Sequence, residues 1–312
     1  MTAPALSVVV PSHGGADRLP VLFSALRNQS FDGAWEMVLV LDGVVDDSPA
    51  VIAAATDLPI RVVEFAENRG RPAALNAGFG EARGDVLIRC DDDLGVAPSF
   101  LAHHAAAHEG RDPVGVVGLC HDVLADSAYA RCYGRPANRR LREAAYRLPP
   151  ERWWKYWAAN CSVTRATFER VGDYDERFRA YGWEDVDWGY RLHLAGVPVT
   201  LEPRLEVVHL AASSSAAIRA HRAYLGGRAH ARFDRKHGIE PQRPEAGGAA
   251  QRAWRAAVES VARTGTEDRI LAWSEALDRR LDRMGDAAAA RAVAFLVEAA
   301  SIAGYRSVDR SC

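Results

Sequence analysis

The N-terminal part of the chain alternates continuous apolar runs with helix-like stretches. Residues 6–10, 37–41, 60–63 and 85–88 are rich in Val, Leu and Ile, and helical patterns at 17–29, 51–55 and 72–82 separate them. Asp17 is placed to cap the first of these helices. A strand that is apolar at every position is covered on both faces, which predicts a mostly parallel sheet between helices. Ligands of such sheets bind beyond the carboxyl ends of the strands, near the switch in strand order. That directs attention to Ser12-His13-Gly14-Gly15, Asp42-Gly43 and Asp91-Asp92-Asp93, which follow the first, second and fourth runs.

Further along, the pattern predicts a helix over 98–109 and a strand over 114–119. A long excursion follows over 120–150, with a helix near 138–147. A strand at 162–163, a helix over 184–194 and short strands at 197–201 and 205–208 complete the α/β part. Everything beyond Ser213 reads as helical, with a linker at 241–248 rich in Pro, Gly and Glu. The expected division is a catalytic domain over 1–240 and, over 241–312, the linker plus two or three Ala-rich helices.

A net charge of −2 gives no sign of a nucleic-acid partner. Only Lys155 and Lys236 are lysines, so Arg-rich stretches reflect the composition of the whole chain. Five cysteines, odd in number and without a Cys-x-x-Cys pair, argue against a disulfide framework or a zinc site and for a reducing cytoplasm. No signal-peptide pattern precedes Leu6, and no apolar run approaches the roughly 20 residues of a membrane helix, so membrane contact is expected to be peripheral.

Three adjacent carboxylates at 91–93 repel one another unless a cation neutralises them. Hard divalent ions such as Mg²⁺ or Mn²⁺ suit such ligands, and extended backbone points Asp91 and Asp93 the same way. A solvated acidic loop is the plain alternative. Trp183-Glu184-Asp185-Val186-Asp187-Trp188 opens a helix. Its acids complement the helix dipole, while its tryptophans offer flat faces for a sugar and a setting that tunes a carboxylate for base catalysis. Arg69 and Arg71 precede a helix start, a fair place for a diphosphate or for ordinary solvated arginines. His209 ends an apolar run, where a histidine is structural or a ligand. Trp153, Trp154 and Trp157 form either an acceptor wall with Trp183 or a core plug under the excursion. Ile218, Leu225, Ala229 and Phe233 mark an apolar helical stripe. Arg222, Arg228, Arg232, Arg235 and Lys236 lie largely off it, facing the pyrophosphate of a lipid-linked acceptor, anionic lipid or solvent.

Val9-Val10-Pro11-Ser12, Asp42-Gly43 with Asp46-Asp47-Ser48, Asn68-x-Gly70 with Asn76, and Gly84-Asp85 leading to Asp91-Asp92-Asp93 occur in the order seen in family-two inverting glycosyltransferases. The chain resembles that family, of the GT-A fold, over roughly residues 6–210. The stretch from Asn160 through Asp173 to Gly182-Trp183-Glu184-Asp185 also resembles the carboxyl-terminal motif of galactosyltransferase-type enzymes. The resemblance implies an α/β fold, a Rossmann-related mixed and mostly parallel sheet, with a helical C-terminal extension. It implies that Pro11, Ser12 and Asp42 line a nucleoside pocket, with Arg71, Asp91 and Asp92 at the donor diphosphate. Asp91, Asp93 and His209 would hold Mn²⁺ or Mg²⁺, Asp185 would be the base, and Glu184 would place a sugar. Trp183, Trp154 and Asp187 would line the acceptor side, Asp187 being the second choice of base. Leu41 stands where the family often has the first of two acids, and Gly14 where it often has Asn.

The expected reaction is a single displacement from a nucleotide-diphosphate sugar, a UDP-sugar first among them, to an acceptor hydroxyl. A nucleotidyltransferase and a non-catalytic sugar-binding module are the alternatives. The first would want a Lys or Arg in the glycine loop after strand one, and Ser12-His13-Gly14-Gly15-Ala16 has neither. The second sits poorly with intact acids at 91, 93 and 185.

Overall fold

The computed structural model describes residues 4–110, 112–179, 181–210, 213–240 and 247–308 of the chain. Strands β1 (Leu6–Ser12), β2 (Trp35–Asp42), β3 (Ile60–Phe65) and β4 (Val86–Cys90) alternate with helices α1 (Leu19–Arg27), α2 (Ser48–Ala53) and α3 (Arg71–Glu81). Then come β5 (Leu94–Gly95), α4 (Phe100–His108), β6 (Gly115–Val117), β7 (Cys120–Val123), a π-helical turn (Ala130–Gly134) and α5 (Arg135–Arg147). A 3-10 helix (Pro150–Tyr156), β8 (Asn160–Thr164), α6 (Arg165–Val171) and α7 (Glu184–Leu194) follow. After β9 (Val199–Leu201) and β10 (Val207–Leu210) the chain is helical: α8 (Ala216–His237), α9 (Ala249–Thr264), α10 (Glu267–Leu281) and α11 (Asp286–Ser307).

The main sheet has the order β3-β2-β1-β4-β8-β6-β9. Its first four strands are parallel, β8 runs antiparallel between β4 and β6, and β9 is parallel to β6. All seven residues of β1 and all five of β4 are buried, as expected of strands covered on both faces, and the buried set includes Ser7, Ser12 and Arg89. One core cluster joins Val8, Val10, Leu22, Leu39, Ile88 and Phe100, and another joins Val9, Phe79, Leu87, Trp157, Trp188 and Leu192. From β1 the chain proceeds outward to β2 and β3 and then returns to place β4 on β1's other side, so the switch lies between β1 and β4. A small second sheet, β5-β10-β7, carries the loop after β4 to its partners.

Several expectations need correction. Asp17 does not cap α1: Arg18 precedes the helix without a side-chain cap, and Pro20 sits in the first turn, where its missing N–H costs nothing. The chain divides into two compact units, residues 1–123, 140–179 and 184–210 in one, and 124–139, 180–183 and 211–312 in the other. The break expected at 240 is therefore misplaced, because α8 packs with the C-terminal helices rather than with the sheet. Residues 241–246 of the expected linker and Cys312 lie outside the described residues. The four described cysteines are free thiols.

In the second unit the buried positions of α8 are Ala216, Ala220, Tyr224, Gly227, Ala231, Phe233 and Asp234, while Ile218 is 38% exposed. The expected stripe is rotated, because close packing and not hydropathy sets this interface. A Cβ on Gly227 would stand 2.0 Å from the Ser301 carbonyl oxygen, and one on Gly304 would stand 1.9 Å from that of Tyr224. Part of the basic face of α8 is engaged, with Arg228 paired to Glu267 and Arg222 over the Tyr181 ring. Among the described residues α11 is long and apolar enough to cross a membrane, a correction to the expectation that no stretch is. Its Ala289, Val293, Ala299, Ala300 and Ala303 are core positions of this unit.

Candidate active site

β4 delivers the acidic triplet. Asp91 N–H donates to the Ala159 carbonyl at the start of β8, and Asp93's carbonyl accepts from Leu210 N–H at the end of β10. Register then decides the neighbours. Antiparallel pairing sets His209 opposite Leu94, and parallel pairing sets it opposite Asp122. His209 Nε2 donates to Asp93 Oδ2 at 3.2 Å and Nδ1 donates to Asp122 Oδ1 at 2.7 Å. Burial alone would lower the His209 pKa, but these bonds and carboxylates outweigh it and push it up to about 10. Asp93 Oδ1 is buried and has no hydrogen-bond partner among the described residues. An oxygen in that state, beside a histidine anchored by a second carboxylate, fits a divalent cation that would replace the imidazolium proton.

The expected three-ligand set is not assembled. Among the described residues no three His, Cys, Asp or Glu side chains converge as a metal cage. Asp91 instead faces Arg89, which stands two residues earlier on the same face of β4. Arg89 Nε and Nη2 donate to Asp91 Oδ1 and Oδ2 at 2.9 and 3.2 Å, and Nη1 donates to Asp185 Oδ1. Arg89 is 1% exposed, and a charge so buried is stable only when paired. Burial alone would raise the Asp91 pKa, but Arg89 and then Arg71 hold it below the usual carboxylate value. Sequence reasoning missed Arg89. Its signal was a lone charge in an otherwise apolar strand, two residues before the first acid.

Asp185 belongs to the first turn of α7, where acids complement the helix dipole. Its side chain is 15% exposed. Burial raises its pKa to about 7, with Arg89 and Arg71 opposing the rise and Glu184 and Asp91 adding to it. Glu184 is buried; Oε1 accepts from Arg71 Nη1 at 3.2 Å, and Oε2 has no partner among the described residues. Arg71, the first residue of α3, keeps its side chain 45% exposed.

Other expected site residues serve the scaffold. Ser12 donates to Asp92 Oδ2 at 2.5 Å, and Arg18, also missed by sequence reasoning, clamps Asp92 at 3.1 and 2.8 Å. Between them Ser12 and Arg18 engage both Asp92 oxygens. Pro11 is buried within β1 and offers no wall there. Asp42, 4% exposed, accepts from the Arg69 and Gly70 N–H groups at 2.6 and 2.9 Å, which shapes the loop before α3. Asp187 is fully buried and paired with Arg191.

Trp157 lies in the core against Trp188, and Trp153 donates to the Ala145 carbonyl. Trp154 packs on Tyr190 and His193, at centroid distances of 4.8 and 6.2 Å. Those residues lie about 8 and 12 Å along α7 beyond Asp185 at 1.5 Å per residue, so Trp154 packs against the helix's far end. Trp183, which belongs to the second unit, stacks on His230 with centroids 3.9 Å apart.

The family model of glycosyl transferase family 2 matches residues 7–171, more than half of the chain. This chain belongs to glycosyl transferase family 2. A second family model, the N-terminal domain of galactosyltransferase, matches residues 138–210, the stretch that carries Glu184 and Asp185. Among curated glycosyltransferases the chain is 30% identical over 226 residues to validoxylamine A glucosyltransferase of Streptomyces hygroscopicus, covering 64% of this chain and 53% of that one. It is 32% identical over 190 residues to undecaprenyl-phosphate 4-deoxy-4-formamido-L-arabinose transferase of Pseudomonas fluorescens, covering 58% and 48%. The chain thus spans about half the length of these relatives. Among solved structures it is similar to a mannosyltransferase from Pyrobaculum calidifontis in complex with GDP-Man and Mn²⁺, with a TM-score of 0.63, 19% identity and coverage of 96% and 87%. That likeness establishes the fold as GT-A, the mixed, mostly parallel sheet with its helical C-terminal region.

Proposed function

We propose that this family member transfers one sugar from a nucleotide-diphosphate sugar to an acceptor hydroxyl, with inversion at the anomeric carbon. The observation that carries the reading is Asp185, a nearly buried carboxylate whose pKa stands at about 7, beside Glu184 with an unpartnered oxygen. A carboxylate in that state accepts a proton at neutral pH far better than a solvated one. Asp185 would take the acceptor's hydroxyl proton as the acceptor oxygen bonds to the anomeric carbon. The bond from that carbon to the diphosphate breaks, and its electron pair leaves with the diphosphate. Glu184 Oε2 would accept from a sugar hydroxyl, and the exposed Arg71 guanidinium would meet a diphosphate oxygen. Asp93 and His209 would hold a divalent cation, Mn²⁺ or Mg²⁺, which supplies charge neutralisation to the leaving diphosphate. The mannosyltransferase of the same fold, in complex with GDP-Man and Mn²⁺, supports this choice of donor and ion.

The test is a panel of UDP-, GDP- and dTDP-sugars, with nucleoside diphosphate release measured with and without Mn²⁺. Release from one donor that depends on the cation and on an added acceptor is expected. Pyrophosphate release would instead indicate nucleotidyl transfer, and binding without turnover a sugar-binding module.

A further inference from the structure

We infer that Arg89 is a built-in counter-cation that competes with an external divalent cation for Asp91 while it positions Asp185. The inference rests on the reading above for a cation at Asp93 and His209 and for Asp185 as the base, and adds Asp91 to the carboxylates that the cation meets. Both Asp91 oxygens accept from the Arg89 fork at 2.9 and 3.2 Å, and the third guanidinium nitrogen holds Asp185. Such two-point pairing takes one lone pair on each Asp91 oxygen and places a positive charge beside any cation that would use the others. Arg89 is 1% exposed, so water cannot take over a released partner cheaply. Asp93, by contrast, has a buried oxygen with nothing bound to it among the described residues. A cation therefore meets Asp93 first, and it gains Asp91 against the Arg89 charge, most fully by drawing that carboxylate off Arg89. When it does so, Asp185 becomes the guanidinium's remaining carboxylate partner within hydrogen-bond reach. Arg89 thus links cation capture on one side of the site to placement of the base on the other.

The experiment titrates Mn²⁺ alone, by electron paramagnetic resonance, into the full chain and into Arg89→Met and Arg89→Lys. Removing a positive charge from beside the site should tighten Mn²⁺ binding by Arg89→Met at least about tenfold. Turnover should fall in the same variant without a rise in donor KM, since Asp185 loses its holder. Arg89→Lys keeps the charge but loses the fork, so its melting temperature should stay near the wild-type value while Mn²⁺ binds several-fold tighter. It carries the test should Arg89→Met not fold. Mn²⁺ affinity that is unchanged or weaker in the folded variants would overturn the inference. The Mn²⁺ measurement needs no donor, so failure of the glycosyl-transfer reading, seen as no turnover of any nucleotide sugar by the wild-type chain, is a separate result.

Discussion

Ser12, the last residue of β1, donates its hydroxyl to Asp92 Oδ2 at 2.5 Å across 80 residues of sequence. This bond, with the Arg18 clamp, locks the first βα loop to the acidic loop after β4. Gly15 is what lets the loops approach: a Cβ there would stand 2.1 Å from Ser12 Oγ and 2.7 Å from Asp92 Oδ2. Gly15→Ala should therefore destabilise the protein by about 1–3 kcal/mol through overpacking. Urea denaturation checks this, and an unchanged midpoint would show that the loops yield freely.

Asp185 gives turnover a definite pH dependence. Its pKa of about 7 means that the base form fills in as pH rises, so kcat should climb through pH 7 and level off above it. The facing charges are Arg89 and Asp91 on the sheet side, Arg71 of α3, and its neighbour Glu184. For stability the sign is opposite. A carboxyl with a folded-state pKa above its unfolded value holds its proton longer when folded, so its contribution falls as pH rises from about 4 to 7. Asp185→Asn should lower kcat by about two to four orders of magnitude. At pH 8 the same variant should melt at a higher temperature than the wild type. A variant with wild-type turnover would exclude Asp185 as the base.

The cation site makes a separable prediction. Asp93→Asn should abolish transfer and weaken nucleotide-diphosphate binding in Mn²⁺, because it removes the charge behind the one buried unpartnered aspartate oxygen among the described residues. Chelation of the wild-type protein with EDTA should have the same effect. Isothermal titration with and without Mn²⁺ measures the first effect, and full activity in EDTA would dismiss the site.

His104 should make the sheet acid-labile. It is fully buried, with Nδ1 at 2.8 Å from Ser162 Oγ and Nε2 at 3.1 Å from Asn160 Oδ1. Burial lowers its pKa to about 3, with Asn160 opposing and His108 and His103 adding to the fall. The unfolded chain therefore binds a proton that the folded chain refuses between about pH 6.5 and 3. Stability is full above that window and should drop by about 1.4 kcal/mol per pH unit within it from this site. His104→Gln should flatten that slope in urea titrations at pH 4–7, and an unaltered slope would assign the acid sensitivity elsewhere.

Trp154 supplies a contrast between support and recognition. Packed on Tyr190 and His193, it lines a cavity of about 410 Å³ with Pro150, Glu151 and Val199. Trp154→Ala should cost about 3 kcal/mol of stability. Acceptor KM should stay near the wild-type value, and a large rise in KM without a fall in melting temperature would return Trp154 to the acceptor wall.

The sequence alone determined the scaffold and where chemistry had to be sought. Short runs dominated by Val, Leu and Ile at 6–10, 37–41 and 85–88, alternating with helical patterns, specify strands covered on both faces. Asp42 and Asp91-Asp92-Asp93, which follow the second and fourth runs, then fall at the carboxyl edge. What it did not determine was the state of each acid. Asp92 is consumed by Ser12 and Arg18, Asp187 by Arg191, Asp42 by two backbone N–H groups, and Asp91 by Arg89, whereas Asp93 keeps an oxygen open. Adjacent carboxylates are alike in sequence. Their hydrogen-bond partners mostly arrive from other strands and helices, brought in by strand register, as His209 is set beside Asp93 from 116 residues away. The same holds for the C-terminal helices, where Gly227 and Gly304 determine the packing face through backbone approach, a property that hydropathy does not record. Burial and partner geometry are properties of the assembled fold, and they alone decide which charge is spent and which remains for a ligand.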